Sequence, residues 1–243
     1  GYIGLEFAGM FNSFGTHVTI FDQHTRLLER EDPDIATEVV ANLTDAGIEI
    51  KPATQLTQVK DNGEKVTLYY QQGDQTNTAE FDAVLVAVGR RPNVSSLGLE
   101  NTDIALTNRG AIQVDDHLRT TVQNIWALGD VNGGPMFTYV SLDDFRIIID
   151  QLFGKGDRST ADRMVIPTAS FLNPPLANVG LNERQAKSAG YDLQTFKLSV
   201  KAIPKARVLE DQRGLYKVIV DQKTHLILGA TLYAAEAHET INL

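Results

Sequence analysis

Three short stretches of this chain carry residue types that could do chemistry. Gly1 and Gly4, opening the run GYIGLEFAGMFNSFG, have the spacing of the last two glycines of G-x-G-x-x-G. In that motif one glycine lets the backbone approach a pyrophosphate and the other lets helix and strand pack closely. Asp22 follows the apolar run HVTIF, eighteen residues beyond Gly4. An isolated Asp after a strand is ordinarily a turn residue, but at this place in a βαβ unit stands the acid that bonds a ribose 2′-hydroxyl. That reading favours NAD over NADP, because a carboxylate repels a 2′-phosphate. Arg26 and Arg30 lie nearby and weigh the other way; their alternative role is to pair with Glu29, Glu31 and Asp32 in a solvated charge run. The third stretch is TVQNIWALGDVNGGP, in which a strand over Ile125 to Leu128 leads directly into Gly129-Asp130 and a glycine-rich turn. On its own, Asp130 there reads as a turn or cap residue.

The elements that must position these residues follow from periodicity and turn chemistry. A first helix is predicted from Tyr2 to about Phe14, with Gly4, Ala8 and Gly9 as a small-residue face and Gly15 as a left-handed stop. HVTIF is a buried strand. Asp32-Pro33 opens a second helix, with Ile35, Val39 and Leu43 at helical spacing and Gly47 closing it. IEIK gives another strand. QLTQVK, KVTLYYQ and NTAEF alternate in period two around Asn62-Gly63 and Gly73-Asp74, the signature of antiparallel hairpins. AVLVAVG, residues 83–89, is a continuous apolar run of the kind buried on both faces of a sheet, ended by Gly89-Arg90-Arg91-Pro92-Asn93. Residues 94–124 form a polar connector with one strand candidate, AIQV. A helix spans about Thr138 to Leu152, and Gly154 to Asp162 is the best domain boundary. Asn182 caps a helix over Glu183 to Ala189 closed by Gly190. GLYKVIVD and HLILGATLYA pair as strands, and a last helix starts at about Ala235. The fold class is therefore α/β, a Rossmann-like first part followed by an α+β part. The sequence starts inside the nucleotide-binding turn, so the preceding strand and glycine are expected upstream of it.

Composition narrows the function classes. The chain has 243 residues, 42% of them hydrophobic, and a formal charge of −9. No basic cluster is present, which argues against a nucleic-acid partner because phosphate binding depends on Lys and Arg. No stretch approaches the roughly 18 apolar residues of a spanning helix, so no membrane association is expected and a cytoplasmic location is the default. There is no cysteine, which leaves no disulfide or thiol chemistry within these residues. The five histidines show no metal-ligand spacing, and no metal site is expected.

Taken in order, GYIGLEFA, the acid-ended strand with RLL behind it, VGRRPN, NIWALGDV and PPLANVGLNERQA resemble the class I pyridine nucleotide-disulfide oxidoreductases, the family of dihydrolipoamide dehydrogenase, glutathione reductase and mercuric reductase. GGPMFTYVSLDDFRI, AIPKARV and AHETIN are more similar to the branch linked to resistance to reactive chlorine species. The resemblance implies an NAD(P)-binding domain over 1–90, the second segment of an FAD-binding domain over 91–160, and a dimerisation domain over 161–243. It implies FAD and NAD as cofactors, a homodimer formed through the C-terminal domain, and a small-molecule electron acceptor. The family's redox cysteines and its His-Glu pair are expected outside the chain, so no catalytic residue is assigned within it and this stretch alone is expected to be inactive.

Site residues follow from the same resemblance. Tyr2 matches the tyrosine that shields the flavin until nicotinamide displaces it; otherwise it is a packed helix-terminal aromatic. Glu6 matches the acid near the nicotinamide; otherwise it is an exposed helix charge. Gly1, Ile3 and Gly4 would line the pyrophosphate and nicotinamide pocket, Gly89 the nicotinamide crossing, and Gly129 and Asp130 the flavin motif whose acid binds the ribityl hydroxyl. A short carboxylate suits that task where no cation lies nearby. Asp143 and Asp144 are expected to exploit the positive end of their helix, and the adjacent His238 and Glu239 cannot form an aimed dyad. The function expected is hydride passage from NADH to flavin and on to a cysteine pair. The alternatives are a non-catalytic dinucleotide-binding and dimerisation module, or an NADH oxidase of the same fold. With the central strand of the first sheet absent, the chain is expected to expose strand edges and to be poorly stable or prone to aggregation.

Overall fold

The computed structural model describes residues Gly1 to Leu243. The chain forms two units, one of Gly1–Val88 with Ile166–Leu243 and one of Gly89–Val165. In the first unit, helix α1 spans Tyr2–Ser13 and the chain turns at Gly15, whose φ of +87° is left-handed backbone that suits glycine. Strand β1 is Thr19–Phe21, helix α2 Pro33–Asp45 and strand β2 Glu49–Lys51. β1 and β2 pair in parallel with Ile20 opposite Ile50, the crossover that a βαβ unit requires. Pro33 sits at the first position of α2, where its missing N–H costs nothing. The predicted hairpins form a three-stranded antiparallel sheet of β3 Thr54–Asp61, β4 Val66–Gln72 and β5 Gln75–Phe81.

Helix α3, Thr138–Phe153, belongs to the second unit. Returning to the first, β6 (Thr168–Ser170), β7 (Leu176–Gly180), helix α4 (Glu183–Ser188), β8 (Leu193–Ser199), helix α5 (Pro204–Val208), β9 (Leu215–Asp221), β10 (Ile227–Tyr233) and helix α6 (Ala237–Thr240) complete the chain. Their strands form one antiparallel sheet in the order β6-β7-β10-β9-β8. Asn182 and Gln185 build the reciprocal capping box that starts α4. The largest core joins the two parts of this unit: Leu5 and Ala8 of α1 and Ile35, Ala36, Val39 and Leu43 of α2 meet Leu172, Leu176 and Tyr233. Each buried Leu, Ile or Val side chain among them contributes about 1.5–3 kcal/mol.

Several expectations are corrected. Residues 83–88 join no strand ladder, and Leu85, Val86 and Val88 are exposed. An apolar run specifies burial, but a strand needs a neighbouring backbone to receive its N–H and C=O groups, and the β1–β2 pair supplies none here. Ile125 to Leu128 forms no strand either; only isolated bridges occur, Arg119 with Trp126 and Leu106 with Ile112, the latter all that AIQV forms. The last helix begins at Ala237 and holds four residues, with Glu236 in left-handed backbone before it. The charge run behind β1 is solvated only in part: Glu29 and Arg30 are exposed, but Glu31 and Asp32 are buried, because Asn178 and Lys217 from the C-terminal sheet supply partners that the local sequence does not. No helix is long and apolar enough to cross a membrane.

Candidate functional site

The start of α1 and the end of β1 meet. Asp22 continues the parallel ladder, its N–H donating to the Lys51 carbonyl at 3.1 Å, and its Oδ2 stands 3.9 Å from the Gly1 backbone nitrogen. Oδ1 accepts from the His24 N–H at 3.0 Å and lies 2.7 Å from His24 Nδ1. Arg26 donates to the Glu29 and Glu31 carbonyls and not to their carboxylates. A Cβ added at Gly1 would meet nothing within 4 Å, whereas at Gly4 it would touch the Ala87 methyl at 3.4 Å. Gly4 is thus where α1 passes close to the 83–88 segment. The first turn of this 12-residue helix carries no acidic side chain. Its unpaired N–H groups and positive dipole end suit a phosphate, with the Asp22 carboxylate beside them for a ribose hydroxyl. A dinucleotide fits these donors and acceptors.

Tyr2 and Glu6 point into contacts that sequence reasoning missed. The Tyr2 hydroxyl donates to Glu31 Oε1, which also accepts from Asn178 Nδ2 at 3.2 Å; Thr231 Oγ1 in turn donates to Asn178 Oδ1 at 2.7 Å. Burial and the Glu31 charge push the Tyr2 phenol well above its usual range, and burial raises Glu31 even against the donated bond from Tyr2. Glu6 Oε1 accepts the Phe171 N–H at 2.7 Å, just beyond β6. Ile3, between them in the helix sequence, is exposed. Asn182, the cap residue legible in the sequence, ties in nearby, its Nδ2 donating to the Arg30 carbonyl at 2.8 Å.

The loop that carries Glu31 is fixed from behind by a buried lysine. Lys217 on β9 is 1% exposed, and its Nζ lies 2.8 Å from Asp32 Oδ2, Asp34 Oδ1 and Glu183 Oε1. Lys197 Nζ adds a 2.6 Å pair with Asp34. Burial alone would raise Asp34, but hydrogen bonds from Lys197 and Lys217 bring its carboxyl down to about 2. The Lys217 bond also lowers Glu183. Asp32, expected to open α2, makes no capping hydrogen bond to that helix; its Oδ2 instead takes Lys217 and the Glu183 N–H at 3.2 Å.

In the second unit, Gly89 has φ +125° and Gly129 φ +72°, both backbone that glycine tolerates best. A Cβ at Gly129 would stand 2.8 Å from Ser141 Oγ. Gly129 and Asp130 open a short 3-10 turn, Gly129–Asn132. The Asp130 side chain is 49% exposed, accepts no hydrogen bond, and has Arg90 Nη1 at 3.5 Å. The expectation of no cation nearby is therefore corrected, although the free carboxylate oxygens still suit hydroxyl donors. Asp143 and Asp144 do not serve a helix end: Asp143 pairs with Arg158 and Arg163, and Asp144 pairs with Arg163 and accepts the Gly129 N–H at 2.7 Å. They lie in the second turn of α3, beyond the reach of its free N–H groups. His238 Nε2 is 3.9 Å from Glu239 Oε1, and the His238 ring packs edge-on against Phe171.

A helix start suited to a phosphate, with an acid at the neighbouring strand end, is the arrangement of dinucleotide-binding βαβ units. The chain belongs to the pyridine nucleotide-disulphide oxidoreductase family, whose model matches residues 1–144 and whose dimerisation domain matches residues 166–243. The family is FAD-dependent and uses NAD(P)H. The chain is 46% identical over 243 residues to the probable pyridine nucleotide-disulfide oxidoreductase RclA of Escherichia coli strain K12, covering all of this chain and 54% of that protein. It is 34% identical over 241 residues to a mercuric reductase of Staphylococcus aureus, covering 99% of this chain and 44% of that one. Among solved structures, the Cu(II) complex of the HOCl-induced flavoprotein disulfide reductase RclA from Escherichia coli superimposes with a TM-score of 0.94, at 46% identity over all of this chain and 54% of that one. The chain thus spans about half the length of the relatives it matches.

Proposed function

We propose that the chain supplies the NADH site, part of the flavin site and the dimer contact of an FAD-dependent disulfide-type oxidoreductase. The observation that carries this reading is Asp22 at the end of β1, with Oδ2 3.9 Å from the Gly1 nitrogen. When bound, NADH and FAD supply hydride transfer, which on this reading continues to a cysteine pair outside these residues and then to a small-molecule acceptor. The chain's own residues bind and orient. Gly1, Ile3 and Gly4 offer backbone N–H groups to the pyrophosphate, and Asp22 accepts from the ribose hydroxyls. Glu6, steadied by the Phe171 N–H, holds its carboxylate at the nicotinamide end. Tyr2, tethered to Glu31, covers the flavin face until nicotinamide enters, and Gly89 gives the chain room to cross there. Asp130 accepts from the ribityl hydroxyls, with Gly129 setting the turn. Residues 161–243 hold two copies together. On this division, 1–90 bind NAD and 91–160 complete the flavin domain. Titration with NADH and NADPH tests the reading: NADH should bind more tightly, and equal or tighter binding of NADPH would overturn the role given to Asp22.

A further inference from the structure

We propose that Asp144 is a positioning residue for the Gly129-Asp130 turn, aiming the Asp130 carboxylate at the flavin. The inference rests on the flavin reading of Asp130 given above. Asp144 is 1% exposed, so its charge must be met within the protein. Oδ1 accepts from the Arg163 guanidinium. Oδ2 accepts two donors, the Gly129 N–H at 2.7 Å and Asn132 Nδ2 at 3.2 Å. One carboxylate on α3 therefore grips both the first residue of the turn, Gly129, and its last, Asn132. Ser141, one turn earlier on the same helix, closes the opposite side of Gly129, as the 2.8 Å approach to a built Cβ indicates.

Asp130 lies between the gripped residues; its carbonyl accepts the Gly133 N–H at 3.2 Å, and its carboxylate has only Arg90 Nη1 nearby, at 3.5 Å. The backbone from which the carboxylate departs is thus set by the held turn, with the half-exposed Arg90 as its one charged neighbour. Bonds to an ionised acceptor are about twice as strong as neutral ones, which makes the charge of Asp144 part of the grip. An amide at this position can accept on one side only. It would turn an NH2 group toward either Arg163 or the Gly129 N–H, and donors would then face donors. Asp143 offers an internal comparison. It accepts from Arg163 Nε at 2.6 Å and from Arg158 at 3.0 Å, yet it makes no bond to the turn.

The test compares Asp144→Asn with Asp143→Asn in the flavin-loaded protein. FAD affinity is measured by ultrafiltration, the visible circular dichroism of the flavin is recorded, and the melting midpoint without FAD is taken alongside. Asp144→Asn should weaken FAD binding about tenfold, or about 1.4 kcal/mol, and change the visible dichroism, while Asp143→Asn should leave both within about twofold of the parent. Equal weakening by the two variants would make the Arg163 cluster merely structural and overturn the proposal, as would an unchanged FAD affinity in Asp144→Asn. Should Asp144→Asn fail to fold, Asp144→Glu takes its place, keeping the charge but displacing the carboxylate from the Gly129 N–H: a changed flavin dichroism with weaker FAD binding supports the proposal, and parental values overturn it. Asp130→Asn separates the two readings. If it weakens FAD binding and Asp144→Asn does not, only the positioning role falls. If Asp130→Asn has no effect, the flavin reading itself falls.

Discussion

At the residue scale, the acid of Asp22 and the missing side chain of Gly129 are the two features most open to substitution. Asp22 is held by the β1 ladder and by His24, so its carboxylate is presented in one orientation. On the role proposed for it, replacing it with Ala removes the acceptor for a ribose hydroxyl while leaving the ladder N–H in place. NADH affinity should fall about tenfold, given about 1–3 kcal/mol for a lost acceptor, and the preference over NADPH should narrow; isothermal titration of both nucleotides measures it. Gly129→Ala meets two obstacles, a φ of +72° and a 2.8 Å approach to Ser141 Oγ. It should lower the melting midpoint, with a cost of about 1–3 kcal/mol. Adding Ser141→Gly should restore only part of that loss, because the backbone strain stays after the steric contact is gone. Full recovery in the double variant would show that backbone conformation plays no part.

At the element scale, β9 and α2 are locked together by Lys217. Lys217→Met leaves Asp32 buried without its cation, and breaking such a pair costs about 3–5 kcal/mol. Chemical denaturation should register the loss, while Lys205→Met, which removes a pair between exposed groups, should leave the midpoint unchanged. The same joint sets an acid limit. Asp34 has its carboxyl depressed to about 2 in the folded chain, against 3.8 ordinarily. Stability from this group is therefore fully present above the ordinary value and is lost as pH falls through about 2. Glu183, also depressed by Lys217, acts in the same direction. The denaturation midpoint should fall between about pH 5 and about pH 2, and Lys197→Met should flatten that fall. An equally steep acid dependence in Lys197→Met would dissociate it from Asp34.

At the scale of the whole molecule, the two units differ in how they are held. The buried hydrophobic clusters all lie in the unit of Gly1–Val88 and Ile166–Leu243, where five paired strands stand over α1 and α2. The unit of Gly89–Val165 has one long helix, isolated bridges and turns. Amide hydrogen exchange should accordingly be slowest in β9 and β10 and faster through residues 94–136, since few packed contacts mean a lower local opening free energy. Leu85, Val86 and Val88, exposed and outside any ladder, should bind a hydrophobic dye and promote self-association. A monodisperse sample with no dye binding would contradict this.

Much of the architecture was legible because it is written in local rules. Gly15, Gly47 and Gly190 marked helix ends, Asn62-Gly63 and Gly73-Asp74 marked hairpins, and Asn182 marked a cap. Glycine backbone freedom and side-chain capping act within a few residues, so spacing alone reveals them. The short strands β6, β7 and β8 escaped notice because their burial depends on which strand lies beside them. The apolar run at 83–88 was misread for the same reason in reverse: hydrophobicity is a property of the residues, and a ladder is a property of a pair of segments.

The candidate site divides along the same line. By itself the sequence determined the glycine spacing at the start of α1, the acid at the end of β1 and the glycine-acid turn at 129–130, because these motifs depend on contiguous backbone geometry. Only the tertiary structure decided that Tyr2 is tethered by Glu31, that Glu6 is met by the Phe171 N–H, that Lys217 pairs with Asp32, Asp34 and Glu183, and that Asp144 holds Gly129. Several of these partners are separated by more than a hundred residues. A charged side chain in a sequence carries no mark of its counter-ion; it acquires one when folding removes the water that would otherwise have served.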